Sequence, residues 1–455
     1  MRGLVIAFAL ASSLLPVGAT RATARLPADA GARRHATALA TPEQIQAEKV
    51  AVDLLSDPQV RAIQAEVEAE LAKTARGRSA EGAAGLHNAI IQWTASLLLR
   101  EEAGDPARPA ILWSSDNAPH SWYGIHVPGR GASGDNPDNI YRVSFLDGAG
   151  RYEIAGQLDP AHRPSQLSVE INRGTAGDLA MKAGNRGKSD FGNQIAMLTD
   201  RTLAIAPDGS FRITIGGEGA GPNHVRTPVG PVSLLVRESL SDWTQLPSQL
   251  SIHRLDTVQE APFDKASLRA KVLADLPGYL RFWGTFPDIW YAGLPQNRLV
   301  GPLSRDGGWG YLAFAPVKLR PDEAFVIRTT RGSAQYTGSQ FSDQWTISPD
   351  PRKFFTSINT SQAVPDADGG FTYVIAARDP GVANWLDTTG LSEGFLLLRW
   401  QGFPPGADGT GLVREARVVK LGDLNALPDV ARVAPRERRA ALEKRGREYR
   451  TRLGE

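Results

Sequence analysis

The stretch Ile140-Tyr141-Arg142-Val143-Ser144-Phe145, then Asp147-Gly148-Ala149-Gly150, then Tyr152-Glu153-Ile154-Ala155-Gly156 decides the fold class. Apolar and polar residues alternate with the period of a strand on both sides of a glycine-rich break. The pattern predicts two strands joined by a hairpin-like turn. Moving outward, residues 203–206 and 211–215 flank Pro207-Asp208-Gly209-Ser210, a second hairpin signal. Strand-like runs follow at 232–236 and 250–255. A second series occupies 311–317, 324–329, 371–376, 395–400 and 416–421. Between the two series, residues 266–276 read as one helix, followed by an aromatic segment over 279–291.

Helical signals surround the β region. Thr41-Pro42-Glu43-Gln44 is a helix start with Thr as N-cap and Pro at the first helical position. Asp57-Pro58 restarts it, and Val60, Ile63, Val67 and Leu71 form an apolar stripe. A Gly/Arg/Ser stretch over 76–85 breaks the pattern, and 86–100 is a second helix. Residues 435–453 form a basic helix with interleaved glutamates, expected to pack as a cap through Leu442 and Tyr449.

The expected fold is therefore mainly β: antiparallel β-sandwich or jelly-roll regions with a helical N-terminal segment and a C-terminal helix. The divisions are a signal peptide (1–24), a leader and helical segment (25–110), a first β region (111–262) and a helical, aromatic connector (263–292). A second β region (293–425) and the basic C-terminal helix (426–455) complete the chain. The two β regions read either as two domains or as halves of one large sandwich.

Composition bounds the chemistry. The 455 residues contain no Cys, which excludes disulfides, thiolate metal sites and cysteine nucleophiles. Arg2, an apolar run over 4–17 and Ala22-Thr23-Ala24 form a secretory signal pattern. Its removal deletes Arg2 and Arg21 and no acid, leaving 49 basic against 49 acidic residues. Such a chain has no global field for nucleic acid. The expectation is an exported protein, periplasmic or secreted, with no transmembrane span after cleavage and no nucleic-acid partner.

Familiar catalytic motifs are mostly missing. No Gly-x-Ser-x-Gly elbow and no His-Glu-x-x-His pair occurs. Gly184-Asn185-Arg186-Gly187-Lys188-Ser189 echoes a phosphate loop, but Lys182 stands where its first Gly belongs. Pro222 likewise spoils the dinucleotide-like run 216–221. No cofactor and no metal is expected.

Three constellations remain. The first packs Asp116, His120, Trp122, Tyr123 and His126 into one segment, and histidine there suits proton transfer. An extended strand would hold the two histidines about 20 Å apart, so pairing them needs a bend. The structural alternative is an aromatic core with a backbone-satisfied histidine. The second is Arg237-Glu238 with Asp242-Trp243, followed by His253-Arg254. Arg237 and Arg254 either form ion pairs with Glu238 or Asp256 or clamp an anion. The third is Asp379, Asn384, Trp385 and Asp387 with Arg399 and Trp400, either a capped turn or polar handles beside an aromatic platform. The short spacing from Asp387 to Arg399 predicts a hairpin that brings them together.

The run Asp379-Pro-Gly-Val-Ala-Asn384-Trp385-Leu-Asp387, followed by Glu393-Gly-Phe-Leu-Leu-Leu-Arg399-Trp400, resembles the C-terminal signature of the domain of unknown function 1214 family. Asp138-Asn139-Ile-Tyr141, Tyr152-Glu-Ile-Ala-Gly156 and Arg237-Glu238-Ser-Leu-Ser-Asp242-Trp243 are similar to other pieces of such proteins. The likeness covers residues 135–425. It implies an exported bacterial protein with a β-sandwich or jelly-roll fold, and no settled activity.

Two function classes follow. One is a cofactor-free hydrolase or lyase acting by acid–base chemistry on a carbohydrate or amphipathic small molecule. His120, His126, Asp116, Asp242 and Asp387 are its candidate catalytic residues. Trp122, Tyr123, Arg237, Trp385, Arg399 and Trp400 are the candidate binding residues, and a histidine is expected to share a cleft with an arginine or aspartate among these. The other is a non-catalytic envelope protein that binds a carbohydrate or hydrophobic small molecule.

Overall fold

Local capping sets the helix boundaries. In the computed structural model, which describes residues 37–179, 193–259, 262–305, 310–404, 406–427 and 430–455, Thr41 Oγ1 accepts from the Gln44 N–H at 3.1 Å. That cap starts α1 (Pro42–Leu54), and Asp57 caps α2 (Pro58–Leu71). The signal-like segment 1–24 and the phosphate-loop echo 184–189 lie outside the described residues. The stretch 76–85 holds the expected break at Ser79, whose backbone is extended, but is helical on either side of it. Thr74 and Ser79 cap α3 (Ala75–Arg78) and α4 (Ala80–Glu102) through the Gly77 and Gly82 N–H groups.

α5 (Lys265–Trp290) is one helix running through Pro277 and Pro287, longer than the sequence suggested. Each interior proline costs roughly 3 kcal/mol. The buried stripe of Leu268, Val272, Leu276, Tyr279, Leu280, Trp283, Phe286 and Trp290 outweighs that, since each such side chain contributes roughly 1.5–3 kcal/mol. No helix among the described residues is long and apolar enough to cross a membrane.

The strands form two sandwiches and one small hairpin. The first five-stranded sheet has the order β1 (Leu112–Ser115), β4 (Asn139–Asp147), β10 (Pro231–Ser239), β6 (Gln166–Arg173), β7 (Gln194–Thr199). Facing it is a four-stranded sheet: β11 (Gln249–Arg254), β5 (Tyr152–Gln157), β8 (Ser210–Ile215), β9 (His224–Val225). The second five-stranded sheet runs β12 (Val300–Ser304), β13 (Gly310–Lys318), β19 (Glu393–Gln401), β15 (Tyr336–Ser342), β16 (Ser357–Asn359). Its partner runs β18 (Trp385–Asp387), β17 (Phe371–Ala376), β14 (Glu323–Thr329), β20 (Val413–Lys420). β2 (His120–Trp122) and β3 (Ile125–Val127) make the hairpin.

The fold is thus mainly β, with the expected helical start and the C-terminal helix α6 (Pro435–Arg450). Three turns differ from expectation. β4 and β5 belong to facing sheets, so Asp147–Gly150 crosses the sandwich instead of closing a hairpin. Residues 203–206 are not a strand; β8 pairs with β5 and β9. β18 and β19 also lie in different sheets, the chain crossing after Thr389 and Gly390, both at positive φ. A tight polar turn has the same composition whether it returns within a sheet or passes to the facing one.

The two sandwiches share one topology. β4, β5, β6, β8, β10 and β11 correspond in sheet position to β13, β14, β15, β17, β19 and β20. Even the parallel pair β8–β9 recurs as β17–β18. Register fixes the residue equivalence. Pro231 pairs with Asp147 and Ser239 with Asn139; Glu393 pairs with Lys318 and Gln401 with Gly310. Hence Leu234-Leu235-Val236-Arg237 and Leu396-Leu397-Leu398-Arg399 occupy the same strand positions. Each sandwich has its own apolar core. A third core joins α1, α2, α4 and α5 to the outer faces of both five-stranded sheets.

Candidate ligand cavity

Strand alternation builds the site. On β10, Val232, Leu234 and Val236 fill the first sandwich, so Ser233, Leu235 and Arg237 point to the other face. On β19, Leu396, Leu398 and Trp400 fill the second, so Leu397, Arg399 and Gln401 do the same. These faces line one cavity of about 220 Å³. α5 supplies an aromatic wall through Tyr279, Trp283, Phe286 and Trp290, with Tyr291 just after it. Their spacing of three and four residues sets them on one helical face.

The cavity is strongly cationic. Arg100, Arg173, Arg237, Arg305 and Arg399 line it, against Asp135 and Asp178 as the lining carboxylates among the described residues. Arg237 makes an ion pair with the buried Glu170. Arg399 has neutral partners: it donates to Gln340 Oε1 at 2.7 Å and to the Gly134 carbonyl at 2.9 Å. Arg100 Nε donates to the Ala176 carbonyl at 2.9 Å. Burial, with Arg237 and Arg399 nearby, lowers the Arg305 pKa to about 10. Burial also raises the Asp135 carboxyl to about 7, despite the opposing pull of Arg399 and Arg237. Trp283 is 5% exposed, and its indole N–H has no partner among the described residues. Guanidinium forks beside an aromatic wall suit an anionic head on an apolar body.

The structure distributes the sequence candidates widely. Arg237 and Arg399 meet at this cavity. Neither His120 nor His126 lines it. His120 is 5% exposed and stacks on Trp113 at 5.2 Å. Arg130 Nη1 lies 3.3 Å from His120 Nδ1, and Glu48 Oε2 lies 3.3 Å from Nε2. Because arginine only donates, Nδ1 is the acceptor and Nε2–H donates to Glu48. Burial drives the His120 pKa down, so the imidazole is neutral. Glu48 feels burial pushing its pKa up, but His120, Arg130 and Gln44 together hold it below the ordinary value. Trp122 Nε1 also donates to Glu48, at 2.5 Å.

The β2–β3 turn at Tyr123-Gly124, both at positive φ, supplies the bend. It pairs Ser121 with His126, which puts the two histidines on opposite faces. His126 is exposed with its Nδ1 2.9 Å from Ser121 Oγ, and Tyr123 is exposed beside it. Asp116 is buried and accepts from Tyr449 Oη at 2.6 Å, which docks the C-terminal helix. Asp242 is exposed and caps its own turn through Thr244. Asp387 accepts from the Thr389 N–H at 2.7 Å, with its carboxyl raised by burial. It is not brought beside Arg399. Trp385 and Trp400 are buried, their indole N–H groups donating to the Ala376 and Thr330 carbonyls, so they present no aromatic platform. Arg254 pairs with Asp256, as one reading had it. Glu238 pairs with Arg142 rather than Arg237, because neighbours in a strand point to opposite faces.

Arg100, Arg173, Arg305, Asp135 and Trp283 escaped the sequence reading. The signal for the site was the repeated Leu-Leu-x-Arg and the aromatic spacing of 279–290.

No family model matches the chain, and no curated protein matches it. Among solved structures, the chain is similar to an uncharacterized protein from Burkholderia cenocepacia. That likeness has TM-score 0.64 and 28% identity, covering 83% of this chain and 100% of that one. The VPA0106 protein from Vibrio parahaemolyticus aligns at TM-score 0.35 and 13% identity, over 63% of this chain and 89% of that one.

Proposed function

We propose that the protein is an exported, non-catalytic binder of an amphipathic anion, a small molecule with an apolar ring or chain and an acidic head. The observation that carries this reading is the convergence of Arg237, Arg305 and Arg399 on a cavity walled by Trp283, Phe286 and Trp290. The guanidinium side takes the head and the aromatic wall takes the body. Export rests on the sequence of residues 1–24. Membership of the domain of unknown function 1214 family rests on the motifs quoted above.

Isothermal titration with 2-naphthoate and its neutral isostere 2-naphthamide tests the reading. Saturable one-to-one binding is expected, tighter for the carboxylate by about tenfold. Equal affinity for both would overturn it. The acid–base enzyme reading keeps one supporting observation. Asp135, with its carboxyl at about 7, lines the same cavity and is suited to pass a proton near neutrality.

A further inference from the structure

The internal repeat places a control inside the cavity. Leu235 pairs with Glu170 on β6, and its counterpart Leu397 pairs with Gln340 on β15. Glu170 and Gln340 therefore hold the same position beside Arg237 and Arg399. The two arginines make the same kind of contact, one to a carboxylate and one to an amide oxygen. In the first sandwich the charge is neutralised by Glu170. In the second, no carboxylate among the described residues lies within ion-pair distance of Arg399.

We propose that this Glu170/Gln340 asymmetry makes Arg399, rather than its counterpart Arg237, the head-group end of the cavity, so that it selects monoanions over dianions. The proposal rests on the amphipathic-anion reading above and adds the charge of the ligand and the residue that sets it. A second anionic group placed at the Arg237 end meets the Glu170 carboxylate already there. Like charges at that range are repulsive, and only a protonated or neutral group fits. Gln340 is held in place by its own amide, which donates to the Asp135 carbonyl at 2.8 Å and to Ser348 Oγ at 2.5 Å. The acceptor oxygen is thereby fixed toward Arg399.

The test is titration of three probes, 2-naphthoate, 2,6-naphthalenedicarboxylate and 2-naphthamide, into wild type, Gln340→Glu and Glu170→Gln. Wild type should prefer the monoanion to the dianion. Gln340→Glu should lose about tenfold in 2-naphthoate affinity and keep 2-naphthamide. Glu170→Gln should gain about tenfold for the dicarboxylate; it alone decides if Gln340→Glu fails to fold. If wild type binds 2-naphthoate but both substitutions leave the probe order unchanged, this assignment is overturned and the anion reading stands. If wild type binds neither anion better than 2-naphthamide, both are overturned.

Discussion

Ser239 and Gln401 hold the same strand position in the two sandwiches and bond to each other, Ser239 Oγ donating to Gln401 Oε1 at 2.9 Å. Contact between equivalent residues is what a two-fold relation between halves produces. Other contacts seal the junction. Asp138 accepts from Trp243 Nε1 of its own half at 2.7 Å, and from Tyr336 Oη at 2.6 Å and Asn359 Nδ2 at 2.9 Å of the other. The cavity sits beside this junction, and so takes one arginine from the end of each central strand.

Ligand affinity should depend on pH through Asp135. Its carboxyl titrates at about 7; below that it is neutral, and above it adds a negative charge near the bound head. Affinity for 2-naphthoate should therefore fall as pH rises through about 7, while Asp135→Asn stays flat across the same range. A calorimetric pH series reads this directly, and an unchanged slope in the variant would refute it.

The Glu48 cluster is expected to be structural. Removing the carboxylate in Glu48→Ala leaves Arg130, His120 and Trp122 facing an uncompensated site, at a cost of about 3–5 kcal/mol. His120→Ala should cost about 1–3 kcal/mol. Denaturant melts measure both, and 2-naphthoate affinity should be unchanged in the folded variants. Lost affinity with unaltered stability would restore a functional histidine.

Stability should also fall as pH rises. Burial and the neighbouring Asp275 raise Glu101 to about 8. Between its unfolded value and about 8 the native state binds the extra proton, so that stabilisation is full in acid and lost as pH climbs through about 8. Thermal melts across this window should show the decline, and Glu101→Gln should flatten it. An equally steep decline in the variant would contradict the assignment.

The basic C-terminal helix is anchored by its charges. Arg438, Arg445 and Arg452 recur every seven residues and are buried. Arg445 donates to the Pro351 carbonyl at 2.6 Å and Ser357 Oγ at 2.6 Å, and lies 4.1 Å over Trp243. Arg445→Ala should cost roughly 2–4 kcal/mol, measured by chemical denaturation. A loss under about 0.5 kcal/mol, the range of ordinary surface changes, would show the helix is not held there.

What the sequence made legible was mostly local. Thr41 and Asp57 cap helices because a short oxygen side chain reaches its own chain's N–H groups. Strand alternation likewise survives without tertiary knowledge. The turns at 147–150 and 388–392 misled, because composition does not tell a hairpin from a crossing between sheets. Arg237 and Arg399 stood out as residues, but their meeting depends on two sandwiches repeating one topology. His120 drew attention as a titratable group, yet burial sets its charge, and its tautomer is set by Arg130 and by Glu48, far off in sequence.

The most direct measurement is a co-crystal structure with 6-bromo-2-naphthoate, the bromine located by anomalous scattering. The carboxylate should lie within about 3.2 Å of Arg399, with the ring against Trp283 and Trp290. A bromine peak confined to another surface, with this cavity holding only solvent, would contradict it.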